Sequence, residues 1–320
     1  MPRSRISPRF PSALAAAVVG AALVVGSAGS AAAQGPPPPK LNPAGAKVAT
    51  LGDSYASGEG APAAGATPWV SDVYGDSGAD GCHRSTLSGH TVFGTGLLRG
   101  DDKAYVNASC SGATTVSLVR GFKGERSQLD ALGPRTKTVT LSIGGNDAGF
   151  SSVATACNTV ATVPGAPSCQ AALAGSAAAL RALTTAPAGG ITPLERTYRA
   201  VLAKAPHAVL VVTGYPLLFP TGAASPRCDV IQPAARTAIN NATLQLNAAA
   251  SAATAAVGGL YVDLVRPFTG HSSCEADPAA SWINTIVPRD PVLSFHPNAT
   301  GQAAIAARLQ EIRCFVHPGR

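Results

Sequence analysis

The segment VATLGDSY, residues 48–55, joins a short apolar run to a Gly-Asp-Ser turn, and it decides the fold. A run that is nearly continuous in apolar character, such as residues 48–51, is typical of a strand buried within a parallel sheet. Ser54 would then lie where this strand ends and the next helix begins, with its hydroxyl exposed at the carboxyl edge of the sheet. The free N–H groups and positive dipole end of that helix would stabilise a developing oxyanion. The segment therefore predicts a strand followed by a serine nucleophile, although an isolated Gly-Asp-Ser triplet is also common in ordinary turns.

Further strands and helices are predicted along the chain. Four more apolar runs look like buried strands, at residues 104–108, 139–143, 208–213 and 260–264. Helices are predicted at residues 193–204, 233–256 and 299–313. Strands that alternate with helices favour a mostly parallel sheet, whose ligand lies beyond the carboxyl ends of the strands. Stretches rich in Gly, Ser, Ala and Pro are expected to form long loops, at residues 56–100, 151–190 and 215–232.

The first residues have the layout of an export signal. Arginines at positions 3, 5 and 9 precede an uncharged apolar stretch at residues 13–25, and small residues follow up to Ala33. This order is typical of a secretory signal peptide, with a retained N-terminal anchor as the alternative. We therefore expect a secreted, extracellular protein in which residues 1–33 are removed. Residues 34–46 would form a proline-rich spacer and residues 47–320 a single domain.

The charge of the chain excludes some classes of partner. The net charge is +7, and about +4 without the three arginines of the leader. The basic residues are scattered rather than clustered with aromatic residues, so we expect no nucleic acid partner. After the leader, no segment is apolar for long enough to span a bilayer. No Cys/His cluster has the spacing of a zinc site, and we expect neither a metal nor a cofactor. We also expect a monomer.

The seven cysteines predict disulfide bonds, because exported proteins usually carry paired cysteines. An odd count leaves one thiol unpaired, and Cys314 in the C-terminal tail is the candidate. The other six cysteines allow many pairings, which their spacing alone does not distinguish.

Three more segments carry groups suited to acyl transfer. Gly112 follows the predicted strand at 104–108, where a glycine lets its backbone N–H approach a ligand closely. Asn146 follows the strand at 139–143 and can present an amide donor. His296 precedes the last predicted helix. Each segment alone could be a turn or a structural histidine, but together they supply nucleophile, backbone donor, amide donor and base in the order Ser, Gly, Asn, His.

This order of motifs resembles the SGNH, or GDSL-type, hydrolases, whose four signature blocks are named for these residues. The matching residues are Gly52-Asp53-Ser54, Gly112, Gly144-Gly145-Asn146-Asp147 and His296-Pro297. Further stretches resemble the branch of secreted actinobacterial lipases and esterases, namely Gly58-Glu59-Gly60, Gly81-Cys82 and Phe268-Thr269-Gly270-His271. The resemblance covers nearly all of the chain after the leader and spacer.

The resemblance implies an α/β fold of the flavodoxin-like type, a three-layer α/β/α sandwich around a mostly parallel five-stranded sheet. It implies that Ser54 attacks the carbonyl of a carboxylic ester and that His296 takes its proton as general base. The N–H groups of Ser54 and Gly112 and the side chain of Asn146 would form the oxyanion hole, and the backbone carbonyl of Ser294 would orient His296. The resemblance also implies the disulfides Cys82–Cys110, Cys157–Cys169 and Cys228–Cys274.

Some features of the site stay open. Many SGNH hydrolases have an aspartate three residues before the histidine, where this chain has Leu293. Either a backbone carbonyl orients His296, or another acid, such as Asp290, reaches it. Residues 75–78 are similar to the nucleophile loop of trypsin-like proteases, but no histidine precedes them, as that fold requires. His271 could be a second base, although a structural role fits its place beside Cys274 better.

The expected activity is that of a secreted serine hydrolase acting on acyl esters, including glycerides or phospholipids. A carbohydrate acetylesterase that acts on polysaccharide is the alternative within the same chemistry. A non-catalytic binding module on the same fold is the alternative outside it. The four intact signature residues argue against a binding module, because a binding protein need not retain a nucleophile and a base.

Overall fold

The computed structural model of the 320-residue chain describes residues 44–62, 81–159, 164–221, 228–287 and 291–316. The predicted signal peptide at residues 1–33 and most of the predicted spacer at 34–46 lie outside the described residues. So do the protease-like segment at residues 75–78 and Asp290.

The described residues contain a single five-stranded sheet in which all neighbouring strands are parallel. Its strands are β1 (Val48–Gly52), β2 (Tyr105–Asn107), β3 (Thr138–Ser142), β4 (Val209–Thr213) and β5 (Leu260–Val262). Their spatial order is β2-β1-β3-β4-β5. The predicted α/β fold with a mostly parallel five-stranded sheet is thereby confirmed. The strand order reverses between β1 and β3, and ligands of such sheets bind beside this switch point.

Helices cover both faces of the sheet. They are α1 (Ser54–Ser57), α2 (Gly89–Leu98), α3 (Thr115–Arg120), α4 (Phe150–Ala156), α5 (Cys169–Thr184), α6 (Pro193–Lys204), α7 (Pro233–Ala256) and α8 (Ala299–Gln310). Successive residues of β4 point to opposite faces, as the pleat of a strand requires. Leu210 and Val212 pack in the core formed with α3, α5, α6 and α7, whereas Val211 packs in the core formed with α2 and α8.

The helices predicted at residues 193–204 and 233–256 are confirmed at both ends. Each begins with a proline, whose missing N–H costs nothing in the first turn. The third predicted helix is shorter than expected, because α8 ends at Gln310 and a short 3₁₀-helix follows at Arg313–Phe315.

The predicted loops at residues 56–100 and 151–190 are wrong in part, because both stretches contain helices. The first contains α2 and the second contains α5 and most of α4. Glycines in α2 allow close packing: a Cβ on Gly89 would lie 2.6 Å from the backbone oxygen of Gln302 on α8. The alanines of α5 favour a helix, and Ser168 caps it by accepting a hydrogen bond from the N–H of Ala171. The sequence of α5 therefore contains local signals of a helix.

Three disulfides brace the loops of the described structure, and they are the pairs implied by the family resemblance. Cys82–Cys110 joins the segment before α2 to the loop after β2. Cys157–Cys169 joins the end of α4 to the start of α5, and Cys228–Cys274 joins the segment before α7 to a loop after β5. Cys314 is exposed and unpaired.

None of the described helices is both long enough and apolar enough to span a bilayer.

Candidate active site

Ser54 lies at the start of α1, directly after β1. Asp53 caps this short helix by accepting a hydrogen bond from the N–H of Tyr55 at 3.0 Å, and Gly58 ends it with a φ of +91°. The turn from β1 requires glycine at position 52, because a Cβ there would lie 2.1 Å from the backbone oxygen of Ser142 on β3. The serine is therefore presented at the carboxyl edge of the sheet, where the sequence places it.

His296 meets Ser54 from the opposite end of the chain. Its Nε2 lies 2.8 Å from Oγ of Ser54, within hydrogen-bond distance. Gly60 makes this approach possible, because a Cβ at that position would lie 2.6 Å from the Cβ of His296. The hydroxyl of Tyr55 donates to the backbone carbonyl of Phe295 at 2.8 Å and fixes the segment just before the histidine. The predicted nucleophile and base are thus brought together in a geometry suited to proton transfer.

Asn284, which belongs to none of the sequence motifs, holds the histidine loop against the serine loop. Its side-chain amide donates to the backbone carbonyls of Gly60 at 3.0 Å and Leu293 at 3.1 Å. Its backbone N–H donates to the carbonyl of His296 at 2.9 Å. The side-chain amide of Asn284 therefore links the loop after Ser54 to the loop that carries His296.

The Nδ1 atom of His296 is buried and faces backbone rather than a carboxylate among the described residues. The carbonyls of Ser294 and Val292 both favour the protonated ring, although neither meets strict hydrogen-bond geometry with Nδ1. Burial lowers the pKa of His296, and Glu59 and the two carbonyls offset only part of that effect, so the pKa lies below its ordinary value of 6.5. A neutral imidazole is the form that accepts a proton from serine.

Three candidate oxyanion donors belong to residues that line one cavity, namely Ser54, Gly112 and Asn146. The backbone N–H groups of Ser54 and Gly112 donate to no other described residue. Gly112 has a φ of +85°, a conformation that favours glycine. The amide of Asn146 donates to the carbonyl of Ala113 at 3.0 Å, which leaves its second N–H for another acceptor. All three residues line the same cavity, as an oxyanion hole requires.

Two carboxylates connect the loops that carry these donors. Asp147 accepts hydrogen bonds from the backbone N–H of Thr115 at 2.9 Å and from its hydroxyl at 2.6 Å, so it ties the Asn146 loop to the start of α3. Asp53 accepts a short hydrogen bond from the hydroxyl of Tyr215, whose oxygen in turn accepts from the N–H of Gly145 at 3.1 Å.

Asp53 is itself almost fully buried, at 1% exposure. Burial raises the pKa of Asp53 to about 7, although hydrogen bonds from Tyr215 and the N–H of Tyr55 act in the opposite direction. Because the hydroxyl of Tyr215 contacts both Asp53 and Gly145, it links the serine turn to the Asn146 loop, a role that no sequence motif indicates.

Glu59 is a second buried acid, and in the sequence it stands out only as part of the Gly58-Glu59-Gly60 motif. Its carboxylate Oε1 lies 2.7 Å from Nδ1 of His83, and its Oε2 accepts a short hydrogen bond from the hydroxyl of Ser111. The same Oε2 lies 3.6 Å from Nε2 of His296. Glu59 therefore stands on the side of the imidazole that faces Ser54, not behind it.

The site opens into a cavity of about 390 Å³. Besides the polar groups described above, apolar side chains form much of its wall: Phe150, Leu218, Phe219, Ile239, Val292 and Phe295. His271 is not part of this wall. Its ring stacks on Trp282 with centroids 3.6 Å apart, and its Nδ1 bonds the carbonyl of Ala280 at 2.8 Å, as a structural histidine would.

Among the described residues, one cluster has side chains of the types that bind metals, namely Cys82, Cys110 and Glu125. The two cysteines form a disulfide, so they offer no thiolate. Glu125 pairs with the guanidinium of Arg84, which is buried with it. The disulfide and the ion pair of this cluster therefore have a structural role, in the loop beside the candidate active site.

The chain was compared with known proteins. Residues 50–304 match the sequence profile of the GDSL-like Lipase/Acylhydrolase family. The chain is 33% identical to Lipase 1 of Streptomyces coelicolor over 253 residues, which is 79% of this chain and 81% of that protein. It is 32% identical to a lipase of Streptomyces rimosus over 255 residues, again 79% and 81% of the two chains.

Two solved structures show the same architecture. The extracellular lipase of Streptomyces rimosus aligns with a TM-score of 0.64 and 29% identity, covering 82% of this chain and 98% of that one. Phospholipase A1 of Streptomyces albidoflavus aligns with a TM-score of 0.64 and 31% identity, covering 84% and 99%.

Proposed function

The chain belongs to the GDSL-like lipase/acylhydrolase family and is a carboxylic ester hydrolase; on that premise we propose that Ser54 is its nucleophile and His296 its general base. The observation that carries the proposal is the 2.8 Å contact between Nε2 of His296 and Oγ of Ser54, in a cavity that Gly112 and Asn146 also line. Nucleophile, base and oxyanion donors within one cavity are the parts that acyl transfer needs.

Acylation begins when Oγ of Ser54 attacks the ester carbon and its proton passes to Nε2 of His296. The carbonyl oxygen becomes an oxyanion, which accepts hydrogen bonds from the N–H groups of Ser54 and Gly112 and from the amide of Asn146. The C–O bond to the alcohol then breaks as the imidazolium returns the proton to the leaving oxygen. The acyl group remains on Ser54 as an ester.

Deacylation repeats these steps with water. Nε2 of His296 takes a proton from the water, whose oxygen attacks the acyl carbon, and the same donors hold the second oxyanion. Collapse of this intermediate releases the fatty acid and returns the proton to Ser54.

The base works in a Ser-His dyad in this proposal. The carbonyl of Ser294 favours the protonated ring, and in this proposal it orients Nδ1–H while Nε2 faces Ser54. A backbone carbonyl is an adequate acceptor for that proton, although it carries no full charge to stabilise an imidazolium. Asp290, the other acid considered from the sequence, lies outside the described residues.

The substrate that fits best is an ester of a long acyl chain, such as a glyceride or a phospholipid. The apolar wall of the cavity, with Phe150, Ile239 and Phe295 among its residues, would bury hydrocarbon next to Ser54. The relatives are named lipases and a phospholipase A1, which supports the same substrate class. An acetylesterase for polysaccharide needs no such apolar wall, and we rank it second.

We further propose that the enzyme is exported and acts outside the cell as a monomer without a nucleic acid partner. Three disulfides within the described chain need an oxidising compartment to persist. The relative from Streptomyces rimosus is described as extracellular. The leader-like order of arginines, apolar residues and small residues at positions 1–33 supplies the route.

A panel of p-nitrophenyl esters from acetyl to palmitoyl, with triglyceride and phospholipid beside it, tests the proposed substrate class. We expect kcat/KM to rise from acetyl to longer chains, because each added methylene enters the apolar wall and gains transfer free energy. Ser54→Ala should be inactive on every ester, whereas Ser152→Ala, an exposed serine on α4, should match the wild type. A preference for acetyl esters, with activity on acetylated polysaccharide, would favour the second candidate instead.

A further inference from the structure

Glu59 is a buried acid next to the reacting groups that the proposed mechanism does not use. It follows α1 by two positions, and its backbone N–H donates to the carbonyl of Ser54 at 3.1 Å. The residue is 3% exposed and contributes to the wall of the catalytic cavity. Burying a carboxylate costs free energy unless neighbouring groups donate hydrogen bonds to it, so the contacts around Glu59 decide its state of charge.

The surroundings of Glu59 hold it in the ionised form. Nδ1 of His83 lies 2.7 Å from Oε1, and the hydroxyl of Ser111 donates to Oε2. Burial alone would raise the pKa of Glu59, but the contacts with His83, His296 and Ser111 more than offset it, so the pKa lies below its ordinary value. The carboxylate is therefore negative across the range in which a histidine titrates.

The negative charge lies close to the atom that receives the proton. Oε2 of Glu59 is 3.6 Å from Nε2 of His296, which is itself 2.8 Å from Oγ of Ser54. This distance is too long for a strong hydrogen bond but short for an attraction between a carboxylate and an imidazolium. The carboxylate side chain is 4% exposed and the imidazole side chain 20% exposed, so salt and water screen this attraction less than they would screen a surface ion pair.

We infer that Glu59 is a positioning residue that stabilises the imidazolium form of His296 from its Nε2 side, and so supplies the negative charge that the Ser-His dyad lacks. This inference rests on the proposed function. The proton moves from Oγ of Ser54 to Nε2 and then to the leaving oxygen, while Glu59 keeps its charge throughout. Glu59 attracts the ring of His296 only after the ring has become a cation. This stabilisation therefore raises the rate of the chemical step rather than the affinity for substrate.

Few other titratable groups act on the imidazole within the described residues. His83, held on the far oxygen of Glu59, acts against a positive charge on His296. The ring of Tyr55 packs beside the ring of His296, with centroids 5.5 Å apart. Asp53 bonds Tyr55 and Tyr215 instead. Glu59 is accordingly the acid that favours the protonated ring.

The variant Glu59→Gln tests this role, because it keeps the shape and loses the charge. The carboxylate favours protonated His296, so its loss lowers the pKa of that ring. The acid limb of kcat/KM, which reports the base of the free enzyme, should then move to lower pH by about one unit. We expect kcat to fall by about tenfold, the factor that one pKa unit represents, with little change in KM.

A matched control separates charge from bracing. Glu125 is another nearly buried glutamate, held by Arg84 in the segment after α3, and no described contact joins it to His296. Glu125→Gln should leave the acid limb in place even if it lowers stability. Glu59→Asp keeps the charge but withdraws it from Nε2, so it should shift the limb in the same direction by less. It carries the test if Glu59→Gln does not fold.

An acid limb that stays at the wild-type pH in a folded Glu59 variant overturns the inference, whether or not the rate falls. A fall in rate without that shift would mean that Glu59 is a structural brace. These results differ from a failure of the proposed function, in which Ser54→Ala would retain wild-type activity.

Discussion

The residues proposed to carry the reaction are held in place by contacts with residues outside it. Asn284 bonds the carbonyls on both sides of the contact between Ser54 and His296. Asn146 uses one amide proton on the carbonyl of Ala113, which leaves the other for an acceptor in the cavity that this residue lines. Such partners keep the donors in place before substrate arrives, which is the condition under which an oxyanion hole accelerates a reaction.

The variant Asn146→Ala should lower kcat on the order of 10²–10³-fold, as expected for the loss of one oxyanion donor. KM should change less, because the hydrogen bond strengthens as the oxyanion forms. Steady-state kinetics on a soluble ester measure both constants. Asn241→Ala, at an exposed position of α7, is the control for a generic loss of asparagine. An increase confined to KM would assign Asn146 to substrate binding alone.

At the scale of helices and strands, the sequence predicted what depends on local composition. The strands were found because apolar runs bounded by polar residues are a local signal, and α6 and α7 because a proline marks each start. Helix α2 was missed, since its glycines suggest a loop. Its stability comes from close packing on α8 and β1, which is a long-range contact.

Helix α2 also buries a histidine that the reaction does not use, and this gives the fold a sensitivity to acid. Nε2 of His90 lies 3.3 Å from the hydroxyl of Thr213 on β4, and its Nδ1 is buried without a hydrogen-bond partner. Burial lowers the pKa of His90 to about 3. The unfolded chain binds a proton below about pH 6.5, whereas the folded chain does not until near pH 3, so stability falls as the pH drops through that window.

The variant His90→Gln should remove this part of the acid sensitivity, because an amide does not titrate. Wild-type protein should lose about 1.4 kcal/mol of unfolding free energy per pH unit from this residue between about pH 6 and pH 4. Urea unfolding of both proteins at several pH values measures the difference in slope. Parallel stability curves for the two proteins would show that His90 is already protonated, or accessible, in the folded state.

At the scale of the whole molecule, the topology assembles the site from segments far apart in the chain. Ser54 follows β1, Gly112 comes after β2 and Asn146 after β3, and these three strands are neighbours in the sheet. His296 arrives from the loop before α8. Parallel strands end at one edge, so the sequence could predict that these residues converge.

The residues that the sequence could not assign share one property, which is that their partners lie in other segments. Glu59 acquires its role from His83, Ser111 and His296, and Tyr215 from Asp53 and Gly145. An isolated glutamate after a glycine, or a tyrosine after a strand, has no local signature of such a network. The family motifs therefore indicate the proposed nucleophile, base and oxyanion donors, whereas only the structure shows the contacts that Glu59 and Tyr215 make.

The measurement that most directly tests the central claim is the covalent labelling of Ser54 by a fluorophosphonate, followed by peptide mapping. The account predicts one adduct per chain, on Ser54, together with loss of ester hydrolysis in proportion to labelling. Ser54→Ala should not be labelled, and His296→Ala should be labelled far more slowly, because the serine then lacks its base. An adduct on a different serine, or full labelling of a folded Ser54→Ala protein, would contradict the assignment of the nucleophile.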